Sequence, residues 1–99
     1  MKVQTFQLGN IVISRQGRDK GCSYVVVGND KEKILVADGK HKLLAKPKAK
    51  NKLHLISTNF VDQELFSKLS NNQKVNDQMI YHTLYEYQKN YQKGRLIYG

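Results

Sequence analysis

The chain has 99 residues, 39% of them hydrophobic, and carries 17 Lys+Arg against 8 Asp+Glu for a net charge of +9, with a pI near 9.7. That length allows one small core with an appended helix, and the hydrophobic share falls below the roughly 45–50% of ordinary globular domains, which argues against a deep enzyme cleft. The pI exceeds the value of about 9 that marks nucleic-acid-binding domains, and the charge is uneven: residues 1–60 hold 12 basic and 4 acidic side chains, residues 61–99 hold 5 and 4. The basic surface therefore belongs to the first part. Cys22 is the single cysteine, so no internal disulfide forms. The opening MKVQTFQLGN lacks the apolar run of a signal peptide, and no stretch reaches the roughly 18 apolar residues of a membrane span. The expectation is a soluble, cytoplasmic protein without a membrane partner.

In chain order, residues 1–8 read as a lead-in or edge strand offering Val3 and Phe6 to the core. A strand is predicted near 10–14 from Ile11 and Ile13, and a second near 22–28 from Tyr24, Val25, Val26 and Val27. Between them, Ser14 to Gly21 is a polar loop in which Gly17 and Gly21 bracket a charged turn and permit tight folding. Its tip carries Arg15, Arg18 and Lys20; Asp19, flanked by two of them, is expected to order the loop. Cys22 begins the second strand and reads as a small core hydrophobe. Residues 28–33 read as a polar turn, and Ile34–Ala37 as a third strand. Asp38-Gly39 is a two-residue turn signal leading to a fourth strand at Lys42–Ala45, with a fifth at Leu53–Ile56. Five short strands in under 60 residues fit a small barrel better than a sandwich. After Asn59 the character changes. Residues 62–69 predict one or two helical turns with Leu65, Phe66 and Leu69 facing inward. A longer helix is expected from Asn76 or Asp77 to about Gln92. Its stripe of Ile80, Leu84, Tyr87 and Tyr91 falls on one narrow face and predicts docking on the barrel, with pairing to a partner helix as the alternative.

Lys40 to His54, KHKLLAKPKAKNKLH, holds six lysines and no acid. In an extended chain alternate side chains share a face about 6.6–6.8 Å apart, so Lys46, Lys48, Lys50 and Lys52 are expected as a one-sided comb. Pro47 excludes helix there. Such a comb matches phosphates along a nucleic-acid backbone in pitch and sign; a solvated loop is the alternative. His41 and His54 lie within the same region. His41, His54 and His82 show no ligand spacing with each other or with Cys22, and no nucleophile–base arrangement is apparent, so neither a metal, another cofactor nor catalysis is expected. Tyr81 and Tyr85, at i and i+4 beside the docking stripe, suit stacking on bases, contact with a protein partner, or rim packing.

Gly9, the sequence Gly17-Arg18-Asp19-Lys20-Gly21 and the apolar strand after it resemble the KOW motif. That motif occurs in ribosomal proteins and transcription elongation factors, on an SH3-like barrel. Asp38-Gly39-Lys40, Lys42, Lys46-Pro47-Lys48, Lys50-Asn51-Lys52 and His54-Leu55 are similar to the pattern of small bacterial KOW-domain RNA-binding proteins, relatives of the archaeal and eukaryotic large-subunit ribosomal proteins of the fourteen-e type. The helix start Val75–Ile80 also resembles the helix that follows the barrel in that group. Two positions depart from the pattern: Lys42 where arginine is common, and Leu53 where a basic residue is common. Lysine is a point charge, so these departures bear on bidentate contacts and leave phosphate binding intact. The resemblance implies a mainly β, SH3-like (KOW) five-stranded barrel over residues 1–58, with a C-terminal helical extension over 59–99 packed on it. It implies a non-catalytic protein, monomeric when free, that binds structured RNA, ribosomal RNA first, in association with the ribosome. The implied contact residues are Arg15, Arg18, Lys20, Lys40, His41, Lys42, Lys46, Lys48, Lys50, Asn51, Lys52 and His54. The alternatives are a transcription-associated KOW module contacting polymerase and DNA, and a protein-interaction module using the tyrosine-bearing helix.

Overall fold

The computed structural model describes residues 6–92, residues 91 and 92 by their backbone alone. Val3 of the lead-in segment and the side chain of Tyr91 in the docking stripe lie outside the described residues. Five strands, β1 (Asn10–Ser14), β2 (Ser23–Asp30), β3 (Lys33–Ala37), β4 (Lys48–Asn51) and β5 (Leu55–Val61), form one antiparallel sheet. Their order is β4-β3-β2-β1-β5, so β4 and β5 are the two edges. Two helices follow, α1 (Gln63–Ser70) and α2 (Asp77–Tyr87), and α2 runs on into a π-helical turn at Gln88–Gln92. Among the described residues no helix is long and apolar enough to cross a membrane.

The central strands are apolar on both faces because both faces are covered. Ile11 opposes Val25, and Val25 opposes Ala37. These three pack with Leu65 of α1 and with Ile80 and Leu84 of α2, so the helices cap one face. On the other face, Val12 opposes Tyr24 and Val26 opposes Val36. That cluster also joins Ile34 of β3 to Leu55 of β5, with Phe6 and Leu8 packed against it. Lys50 Nζ of β4 reaches Ser14 Oγ of β1, three strands away in the sheet, at 3.2 Å, so the sheet curls towards this second face, as strand twist favours.

Two polar devices fix the frame. The register between β1 and β5 shifts between Asn10 and Val12. Asn10, fully buried, fills the irregularity: its Nδ2 donates to Thr58 O at 3.1 Å and Phe60 O at 2.9 Å, and its Oδ1 accepts from Ser57 Oγ at 2.8 Å. Asp62 caps α1 by accepting from Leu65 N at 3.0 Å, while its other oxygen accepts from Thr83 Oγ1 at 2.7 Å, tying α1 to α2. Phe60 and Tyr87 meet edge to face, 5.6 Å between ring centres, so Tyr87 of the predicted stripe docks on the sheet as Ile80 and Leu84 do.

Several elements differ from the sequence reading. The fourth strand is Lys48–Asn51 and not Lys42–Ala45. Residues 38–47 form a connection in which Leu44 packs against the helix-side cluster while Leu43 stays exposed. The fifth strand starts at Leu55, after a 3-10 turn over Lys52–His54, and extends to Val61. Leu65 and Leu69, one turn apart, set the inward face of α1; Phe66 lies about 100° around the axis and is 38% exposed. Cys22 is exposed, because the strand begins at Ser23 and Cys22 closes the loop beyond the covered part of the sheet.

Candidate nucleic-acid interface

The loop between β1 and β2 is built on two glycines in the left-handed region, Gly17 at φ 88° and Gly21 at φ 92°. Gly21 N donates to Ser14 O at 2.7 Å, and Lys20 N to Gly17 O at 3.2 Å. This tight path turns Arg15, Arg18 and Lys20 outward and exposed, and turns Asp19 inward.

Asp19 is the hub of the region. Oδ1 accepts from Ser14 Oγ at 2.8 Å and Oδ2 from Tyr24 Oη at 2.7 Å. Lys50 Nζ donates to both oxygens, at 3.2 and 3.1 Å, and to Ser14 Oγ at 3.2 Å. Lys48 Nζ stands 3.9 Å from Oδ2. Burial by itself would raise the Asp19 pKa; the hydrogen bonds from Tyr24, Ser14 and Lys50, with the Lys50 charge, outweigh it and hold the carboxyl far below the usual carboxylate range. Burial, then the hydrogen bond and charge of Asp19, push the Tyr24 phenol well above its usual value. The loop is thus ordered by Asp19, but through partners 5 and 31 residues away and not through its flanking cations.

The expected four-tooth comb is two teeth long. Lys48 opposes Val36 and Lys50 opposes Ile34 in the ladder, so both side chains leave the same face of the sheet. Lys46 belongs to the turn before β4, with its N–H donating to Leu43 O, and Lys52 to the 3-10 turn after it. Both are exposed. Lys50 is only 8% exposed, and its ammonium is held by Asp19. Asn51 Oδ1 accepts from Leu53 N at 2.9 Å, so its side chain caps the 3-10 turn.

An open depression of about 630 Å³ brings the two basic segments together. Arg18 comes from the loop; Lys42, Lys48, Lys50 and His54 come from the lysine-rich region; Tyr24 and Asp19 lie among them. Among the described residues Asp19 is the one acid lining it, and its charge is already matched by Lys50 and Lys48. Arg15 stands beside this site, its N–H donating to His54 O at 2.9 Å. Lys20 and His41 are exposed and do not line the depression, and Lys40 lies in a neighbouring notch that shares Cys22 as a wall.

The turn that carries Lys40, His41 and Lys42 is folded around Asp38. Its Oδ1 accepts from all three backbone N–H groups, at 2.9, 2.8 and 2.7 Å. Burial would raise its pKa, and these three donors outweigh that and lower it. Asp77 at the start of α2 accepts from Leu44 N at 2.7 Å and fastens the far end of the same connection. Ser14, Tyr24 and Asp38 were absent from the residues expected at the site. The hydroxyls sit at the ends of strands facing a charged loop, which is the one signal the sequence offers for them. No protein-family model matches the chain, and no curated protein does.

Proposed function

We propose that this chain is a non-catalytic RNA-binding protein whose curled sheet is an SH3-like barrel of the KOW kind. It binds structured RNA, ribosomal RNA first, as a cytoplasmic monomer associating with the ribosome. The observation that carries this reading is the meeting, in one depression, of Arg18 with Lys42, Lys48 and His54 around an aspartate that is already satisfied. Phosphates entering there meet cations on a rigid frame, and the counterions condensed on the RNA are released. A site built mainly from lysine positions a backbone and reads shape, with little hydrogen bonding to bases. In this reading Arg18, Lys42 and Lys48 contact phosphates directly, His54 and His41 hydrogen-bond to RNA, Arg15, Lys20, Lys40, Lys46 and Lys52 add a surrounding positive field, and Lys50 and Asn51 hold the frame.

Gradient fractionation of cell extract tests this. The full chain is expected with ribosomal particles at low salt, and Arg18→Ala combined with Lys48→Ala is expected to release it. Migration with RNA polymerase in place of ribosomes would favour the transcription-associated module.

A further inference from the structure

Beside the basic depression, on the other side of Cys22, lies a notch of about 350 Å³ between the start of β2 and α2. Ser23 lines it. That residue is 7% exposed, and among the described residues its Oγ is a buried side-chain polar atom with no hydrogen-bond partner. Buried hydroxyls are nearly always paired, so an orphan at the wall of a notch points to a group supplied from outside. Tyr81 and Tyr85 line the same notch and remain 45% and 51% exposed. Lys40 lies at it too. Asp38 shares the lining, but its carboxylate is engaged by the Lys40, His41 and Lys42 amides.

We infer that this notch takes one unpaired nucleobase of the bound RNA. The inference rests on the RNA-binding reading above. A base is a flat ring with polar edges: the ring suits the two tyrosines, an edge group suits the Ser23 hydroxyl, and the adjoining phosphate suits Lys40. A volume of about 350 Å³ is at the small end of ligand pockets and suits one base better than a peptide segment. Continuity through Cys22 lets one strand run from the basic depression into the notch without leaving the surface. The RNA would therefore be a folded one with an extruded nucleotide next to a paired stem.

The test uses the full chain and two probes: a fully paired RNA hairpin, and the same hairpin with one bulged adenosine. Stacking on an aromatic side chain is worth on the order of 5- to 150-fold per base, so the bulged hairpin should bind at least about 5-fold tighter. Tyr81→Ala combined with Tyr85→Ala should bring that ratio close to one. Ser23→Ala removes a hydroxyl that has no partner, so it should shrink the ratio while leaving the melting temperature in place. Equal, salt-dependent binding of both hairpins by the parent protein would overturn the base pocket while leaving the basic face standing, and would leave the tyrosines to a protein partner. A bulge preference that persists in both variants would also overturn it. Salt-insensitive or absent binding of both hairpins would defeat the underlying reading instead.

Discussion

Lys50 Nζ lies 3.1 Å from Asp19 Oδ2, joining edge strand β4 to the loop between β1 and β2 across 31 residues of sequence. The pair is nearly buried, and Tyr24 and Ser14 complete its hydrogen bonds. Lys50 therefore anchors the loop, while its neighbour on the same face, Lys48, keeps a side chain 39% exposed. The two lysines are expected to behave oppositely. Lys50→Met should cost about 2–4 kcal/mol of stability, somewhat under the 3–5 of a fully buried pair. Lys48→Ala should leave stability within about 0.5–1 kcal/mol and weaken RNA binding. Chemical denaturation and RNA titration of the two variants check this; equal destabilisation would remove the distinction.

Acid should loosen the same cluster. The folded-state pKa of Asp19 lies below the ordinary 3.8, so its contribution to stability is present above about pH 4 and is lost as the pH falls towards the folded value. The melting temperature of Asp19→Asn should lie below the parent's at neutral pH, and the gap should narrow as the pH drops from about 4 to about 2. A gap that stays constant over that range would show that Asp19 is not held ionised by its partners.

The turn at Gly39 should tolerate no side chain. Its φ is 77°, and a Cβ there would run into Asp77 O, with Tyr81 N at 2.8 Å. Gly39→Ala combines backbone strain with a clash against the first turn of α2, for an expected cost of about 2–4 kcal/mol. Gly21→Ala is the comparison: a similar φ of 92°, but no atom within 4 Å of the added Cβ, so only the strain, about 1–2 kcal/mol, should appear. Thermal melts of the two variants separate clash from strain.

The three central strands were legible because β-branched runs sit between glycine-bearing and polar turns. The fourth was not: Leu43-Leu44 looks more like a strand than Lys-Ala-Lys-Asn does. An edge strand needs little apolar character, and Leu44 serves the helix side from a loop. The lysine run was legible as a basic surface, but its internal division was not. Which lysine is withdrawn depends on Asp19, and nothing local in the sequence brings the two together. The bulge filled by Asn10 and the close approach at Gly39 are likewise long-range contacts that periodicity does not carry.

The helices should be part of the fold. Leu84 is buried against the same cluster as Ile11 and Val25, so Leu84→Ala should cost about 2–5 kcal/mol. Removing the chain after Asn59 would uncover that whole face and also cut β5 before Phe60, so the truncated chain should fail to melt cooperatively. Circular dichroism of both checks this, and parent-like melting of the truncation would show a sheet that stands alone.

The most direct test of an RNA-binding basic face is the salt dependence of affinity for a structured ribosomal RNA fragment. If roughly four to six phosphates are neutralised, log affinity should fall with log salt at a slope of about −3 to −5. Arg18→Ala combined with Lys48→Ala should make that slope shallower by about 1–2. A flat salt response, or a slope untouched by the double substitution, would contradict the account.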